Sequence, residues 1–145
     1  MHTVNRSLTL LLASFSMLLG GCGSDEGGPD PVSTSLPLGQ EYMVGFGETI
    51  HVADLSLEFT TLAEESRCPA SANCVWQGNA RILVTVMRSH AFAVLELNSN
   101  PQFPVRAVFG NYVIELRAVE PYPMDMTLPH VQDYVATLFV DVTAP

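Results

Sequence analysis

From residue 39 onward the apolar residues of this chain alternate with polar ones in short runs cut off by Gly, Pro, Asn or Asp. No window sustains a helical repeat. This period of two restricts the fold more than any other feature, because successive side chains of a strand point to opposite faces. An alternating run therefore buries one face and wets the other. Leu55, Leu57 and Phe59 alternate with Ser56, Glu58 and Thr60. Along 79–88, Ile82, Val84 and Val86 share one face while Leu83, Thr85 and Met87 share the other. A tight turn at Ser89-His90 then leads into 91–97. Residues 41–46 and 48–52 are two shorter candidates, punctuated by Gly45 and Gly47. Asn98-Ser99-Asn100-Pro101 is a break, after which 103–109 and 112–119 flank Gly110-Asn111, a pair that reads as a hairpin turn. Pro121, Pro123 and Pro129 exclude 120–130 from a central strand and predict a long crossover. Tyr134, Ala136, Leu138, Val140 and Val142 alternate as a last strand.

Seven or eight strands over 39–145 predict an all-β domain, a single antiparallel β-sandwich of immunoglobulin-like or related Greek-key topology. A small closed β-barrel is the alternative. The pattern does not order the strands.

The first residues read differently. Arg6 and the amino terminus precede an apolar run of 12 residues, Leu8 to Leu19, whereas a spanning helix needs about 20. The run ends in Leu18-Leu19-Gly20-Gly21-Cys22. This stretch resembles the lipobox of bacterial lipoproteins: a leucine, small residues, then the cysteine. The resemblance covers the first 22 residues. It implies diacylglycerol transfer to the Cys22 thiol, cleavage before Cys22, and acylation, for instance with palmitate, of the new amino terminus. It also implies an exported product anchored in the cell envelope. Because Gly23 and Ser24 follow the cysteine where an Asp would hold the product at the inner membrane, the expected destination is the outer membrane. The competing reading is an ordinary secretory signal cut near Gly20 to Gly23, which leaves Cys22 a free thiol. On the lipoprotein reading, 1–21 is a signal peptide and 22–38 a lipidated cysteine with a disordered Gly/Ser/Pro tether. The sandwich is then 39–145.

With Cys22 lipidated, the chain's three cysteines leave Cys68 and Cys74 as a pair in an oxidising compartment. A bond across so short a loop restricts the unfolded chain by about 2 kcal/mol on the loop-entropy formula. Metal ligation by the pair is the rival, and it needs two further ligands that do not lie close in sequence. Past residue 21, five arginines face 15 acidic residues with no lysine. That balance disfavours nucleic acid and anionic lipid surface as partners.

The densest local feature, Arg67-Cys68-Pro69 through Cys74-Val75-Trp76 to Gly78-Asn79-Ala80, is similar to a motif of small exported bacterial proteins whose function is unassigned. A short disulfide loop containing Pro and Asn makes a rigid bulge ahead of a strand. Arg67 and Trp76 are its candidate partner-binding residues, since Arg and Trp are favoured at binding hot spots. The plainer reading has Trp76 plugging one end of the sandwich and Arg67 paired with Glu64 or Glu65. No nucleophile elbow, zinc-protease motif, phosphate-cradling glycine loop or dinucleotide fingerprint is present. The expectation is therefore a non-catalytic, membrane-tethered binding module for a protein or glycan partner, with no cofactor and no metal. The alternative is an inhibitor of secreted hydrolases that presents the Arg67 to Cys74 loop.

Overall fold

The structure, a computed structural model, describes residues 35–144. Cys22, the signal segment and most of the tether lie outside the described residues. Eight strands form: β1 (Gln40–Gly45), β2 (Thr49–Val52), β3 (Leu55–Glu65), β4 (Ala80–Arg88), β5 (Ala91–Asn98), β6 (Arg106–Phe109), β7 (Tyr112–Glu120) and β8 (Val135–Val142). One short 3₁₀ turn, Val131–Asp133, precedes β8. Among the described residues no helix is long and apolar enough to cross a membrane.

The strands make two four-stranded sheets, β1-β8-β7-β6 and β2-β3-β4-β5, with every strand pair antiparallel. The expected sandwich is what forms, and the barrel does not close. Its connectivity is simpler than the immunoglobulin order, in which strands 1-2-5-4 face 3-6-7. Here β2 to β5 run as one meander and β6 to β8 as another, and β1 pairs with the last strand. Near-neighbour turns dictate this. Ser89, at φ 51°, and Gly110, at φ 61°, each reverse the chain between adjacent strands.

Alternation places the core. Ala80, Ile82, Val84 and Val86 of β4 are buried against Leu55, Leu57 and Phe59 of β3, and they meet Ile114 and Leu116 of β7 and Ala136, Leu138 and Val140 of β8. Strand β3 runs five residues past Thr60, where the strict alternation ends. Two register shifts, between Phe59 and Thr61 and between Leu62 and Glu64, re-phase the strand so that Leu62 lies opposite Ile82 and Glu65 opposite Ala80. The first shift brings Leu62 to the inner face and the second restores the original phase, so that Glu65, a carboxylate, also faces inward. Among the described residues, all eight strands and the buried core lie between Leu36 and Val142. At the start of the described chain, Leu36 bridges β2: its N–H donates to His51 O and its carbonyl accepts from Ala53 N–H, both at 2.8 Å.

Candidate functional site

The end of the sandwich where β3 stops and β4 starts collects three loops. These are 66–79 with the disulfide, 99–105 between β5 and β6, and the crossover 121–134. Cys68 and Cys74 are bonded, with Cα atoms 5.9 Å apart. Gly78 ends the first loop at φ +73°, and a Cβ there would stand 1.8 Å from Ser66 O, so only glycine fits.

Arg67 is the strut of this end. Its Nε donates to Glu65 Oε1 at 2.9 Å and its Nη2 to Glu65 Oε2 at 2.5 Å. Nη1 donates to Val119 O at 2.5 Å and Nη2 also to Pro121 O at 3.0 Å. The guanidinium carbon lies 5.0 Å from the centre of the Tyr122 ring, and the Tyr122 hydroxyl donates to Cys68 O at 2.8 Å. Arg67 and Glu65 side chains are 7% and 3% exposed. Arg67 therefore turns inward onto Glu65 and the end of β7, and it does not offer its charge to a partner. Glu65 faces inward opposite Ala80, and Arg67 follows it. Tyr134 Oη is buried beside this pair with no hydrogen-bond partner at proper geometry. Burial, and next the Glu65 charge, push its hydroxyl pKa up.

A second internal network holds the 99–105 loop. Asn79 Nδ2 donates to Asn98 Oδ1 at 2.9 Å, Asn100 N–H to Asn79 Oδ1 at 3.1 Å, and Asn100 Nδ2 to Gly78 O at 2.9 Å. All three asparagines are buried and all are satisfied. The crossover is zipped to the disulfide loop by Ala70 N–H to Pro123 O and Ser71 N–H to Met124 O, both 3.0 Å.

On this frame the apolar side chains face outward. Val75 is fully exposed, Met126 is 82% and Met124 69% exposed, and Leu128, Trp76, Phe103 and Tyr122 are each more than 40% exposed. Trp76 meets Phe103 edge-on, ring centres 6.4 Å apart. A groove of about 360 Å³ runs between Trp76, the disulfide, Pro69, Met126 and Leu128, with Asp125 on its wall. A smaller groove of about 280 Å³ lies on another side of Arg67, against Gln77, Asn100, Glu120 and Tyr122. Volumes of this order hold a side chain or a small ligand. Of the residues singled out in the sequence, Cys68, Cys74, Arg67 and Trp76 come together here. Trp76 is half-exposed at the groove, while Arg67 is part of its floor. Met124, Met126 and Leu128 were not legible as site residues, because the prolines around them marked only a connection. Among the described residues no three His, Cys, Asp or Glu side chains converge as a metal site.

The groove offers apolar surface and, on its wall, the Asp125 carboxylate, whose Oδ1 accepts from Thr127 N–H at 2.7 Å. Comparison with protein-family models, with curated proteins and with solved structures finds no match to this chain.

Proposed function

We propose that this protein is an exported, lipid-tethered binding module that engages a protein or glycan partner through the disulfide end of its sandwich. The observation that carries this reading is the gathering of seven exposed apolar side chains on a frame fixed by a disulfide, an ion pair and an asparagine network. Exposed apolar side chains are individually ordinary, but three of these seven, Trp76, Met126 and Leu128, line one groove, and such grouping is the usual mark of an interaction site. Loops positioned by a rigid sheet frame commonly carry recognition. The lipid anchor on Cys22, cleavage of 1–21 and an envelope location rest on the lipobox resemblance.

The inhibitor reading is less favoured by the geometry. Arg67 would have to break its bonds to Glu65, Val119 and Pro121 before entering a protease cleft.

The test crosslinks the lipidated protein in its cells and identifies adducts by mass spectrometry. The expected result is one recurrent partner, lost with Trp76→Ala or Met126→Ser and kept with Arg88→Ala. Scattered adducts indifferent to all three substitutions sink the reading. In the same cells, Cys22→Ser is expected to abolish incorporation of labelled palmitate and to release the protein from the membrane fraction.

A further inference from the structure

The two sheets have four edges, β1, β2, β5 and β6, and β5 is the longest of them. Leu36 covers β2. The chain leaving β1 bonds across to the other sheet, Gly47 N–H to Phe59 O at 2.8 Å, and Phe46 packs edge-on against Phe59. Strand β6 is only four residues long. The fourth edge, β5, is different. It offers eight residues, Ala91–Asn98, and among the described residues its one backbone bond away from β4 is Asn98 N–H to Pro104 O. It carries no proline and no lysine, the residues that ordinarily blunt an edge. Its outward face shows Phe92, 73% exposed, and Val94, 55% exposed. Behind it the seam between the sheets is open: Ala93 of β5 and Ala107 and Phe109 of β6 pack against the core but are only partly buried. On the opposite side, Val44 of β1 and Val52 of β2 are fully buried.

We propose that β5 pairs antiparallel with β5 of a second copy of this chain, joining the two β2-β5 sheets into one continuous sheet of eight strands. The sequence of the strand selects its own partner. Residues directly opposite across an antiparallel pair share a face. A two-fold axis through Ala93 therefore sets Phe92 against Val94 of the second copy, and symmetry repeats that contact. Aromatic to β-branched pairs are among the favourable cross-strand contacts. The same register sets Glu96 against His90 of the second copy, so no like charges meet across the pair. Arg81 already stands 3.7 Å from Glu96 on the neighbouring strand. The pairing satisfies the free backbone groups of the edge, as in strand addition generally, and it covers the seam at Ala93.

The acidic surface of each copy opposes association. Raising salt shortens the Debye length from about 10 Å at 0.1 M to about 3 Å at 1 M, so the dimer tightens as salt rises.

The test is sedimentation velocity on a chain beginning at Ser33, which retains every described strand and core residue and whose fold is first established by circular dichroism. The expected result is a concentration-dependent dimer, tighter at 1 M than at 0.1 M NaCl. Val94→Lys, on an exposed outward position, is expected to weaken it at least about tenfold by removing two cross-strand contacts at once. Val108→Lys on the outward face of β6 should leave it unchanged. Circular dichroism establishes that both variants are folded. A chain that stays monomeric to millimolar loading overturns the proposal, as does a dimer that Val94→Lys leaves intact.

Discussion

Arg67 and Arg88 each meet a carboxylate, an aromatic ring and a further oxygen acceptor, yet one is sealed inside the fold and the other stands in water. Arg88, at the far end of β4, donates to Asp54 Oδ2 at 2.6 Å and to Asn111 Oδ1 at 3.0 Å, and it lies 5.3 Å from the centre of the Tyr112 ring. The Tyr112 hydroxyl donates to the other Asp54 oxygen at 2.5 Å. The local geometry is as good as that around Arg67. What differs is solvent: Arg88 and Asp54 side chains are 40% and 51% exposed, against 7% and 3% for Arg67 and Glu65. Water screens the first pair, so its removal is cheap. The second pair has given up its hydration, so each partner is held hostage to the other. Motif and contact list alone would rank the two ends alike; burial separates them.

The largest expected effect follows from that difference. Arg67→Ala should destabilise the domain by about 3–5 kcal/mol, because it leaves the Glu65 carboxylate buried without a counter-charge. Urea denaturation monitored by circular dichroism measures it. Replacing both partners with apolar residues, Glu65→Leu with Arg67→Met, should recover most of the loss, since no charge then stays buried. A double variant as unstable as the single one would mean that the bonds to Val119 and Pro121 matter more than the carboxylate.

Next in size is Gly78→Ala. It should cost more than about 1 kcal/mol because φ is positive, with a further penalty from the approach to Ser66 O. A change smaller than that in the same assay would show that the disulfide loop yields more easily than its bonds suggest.

Tyr134→Phe should lie within about 1 kcal/mol of the parent at pH 7, because the hydroxyl it removes is buried without a partner. Its signature is at high pH. The folded Tyr134 pKa is raised above the ordinary 10.0, so its contribution is present below pH 10 and lost as pH rises beyond that. Thermal melts between pH 9 and 11 should therefore fall less steeply in the variant than in the parent.

Arg88→Ala should have the smallest effect, a shift in melting temperature near the limit of detection at neutral pH. The Tyr112 hydroxyl, and then Arg88, hold the Asp54 carboxyl below its ordinary 3.8. Whatever stability this gives is present above that pH and disappears as pH falls through the folded value. An effect of Arg88→Ala comparable with Arg67→Ala would erase the distinction between the two ends.

Much of the fold was legible because it rests on short-range rules. Period-two alternation located β3, β4 and β8, and glycines and turn residues marked off the shorter candidates, with Gly110-Asn111 at its hairpin and β6 beginning three residues later than read. The residues that build the candidate site obey no such rule. Strand β3 looked finished at Thr60 because a bulge there shifts phase without any sequence signature and puts Leu62 on the inner face, so the strand's last residues, Glu65 among them, were not counted as strand. Arg67 finds Val119 and Pro121, 52 and 54 residues away. The Asn98-Ser99-Asn100 break was read rightly as irregular backbone, but its asparagines face inward to serve loops rather than outward to water. The pairing of 70–71 with 123–124 joins two segments that each look like mere connections. Long-range partners set by topology leave no trace in local spacing.

The bridge between Leu36 and β2 fixes where the polypeptide enters the domain: beside Val52 and Ala53, at the Arg88 end. The groove by Trp76 opens at the other pole, separated by the length of β3, roughly 30 Å at the usual rise per residue. Anything that holds this chain by its amino terminus therefore takes hold at the foot of the domain, at the pole opposite the apolar groove.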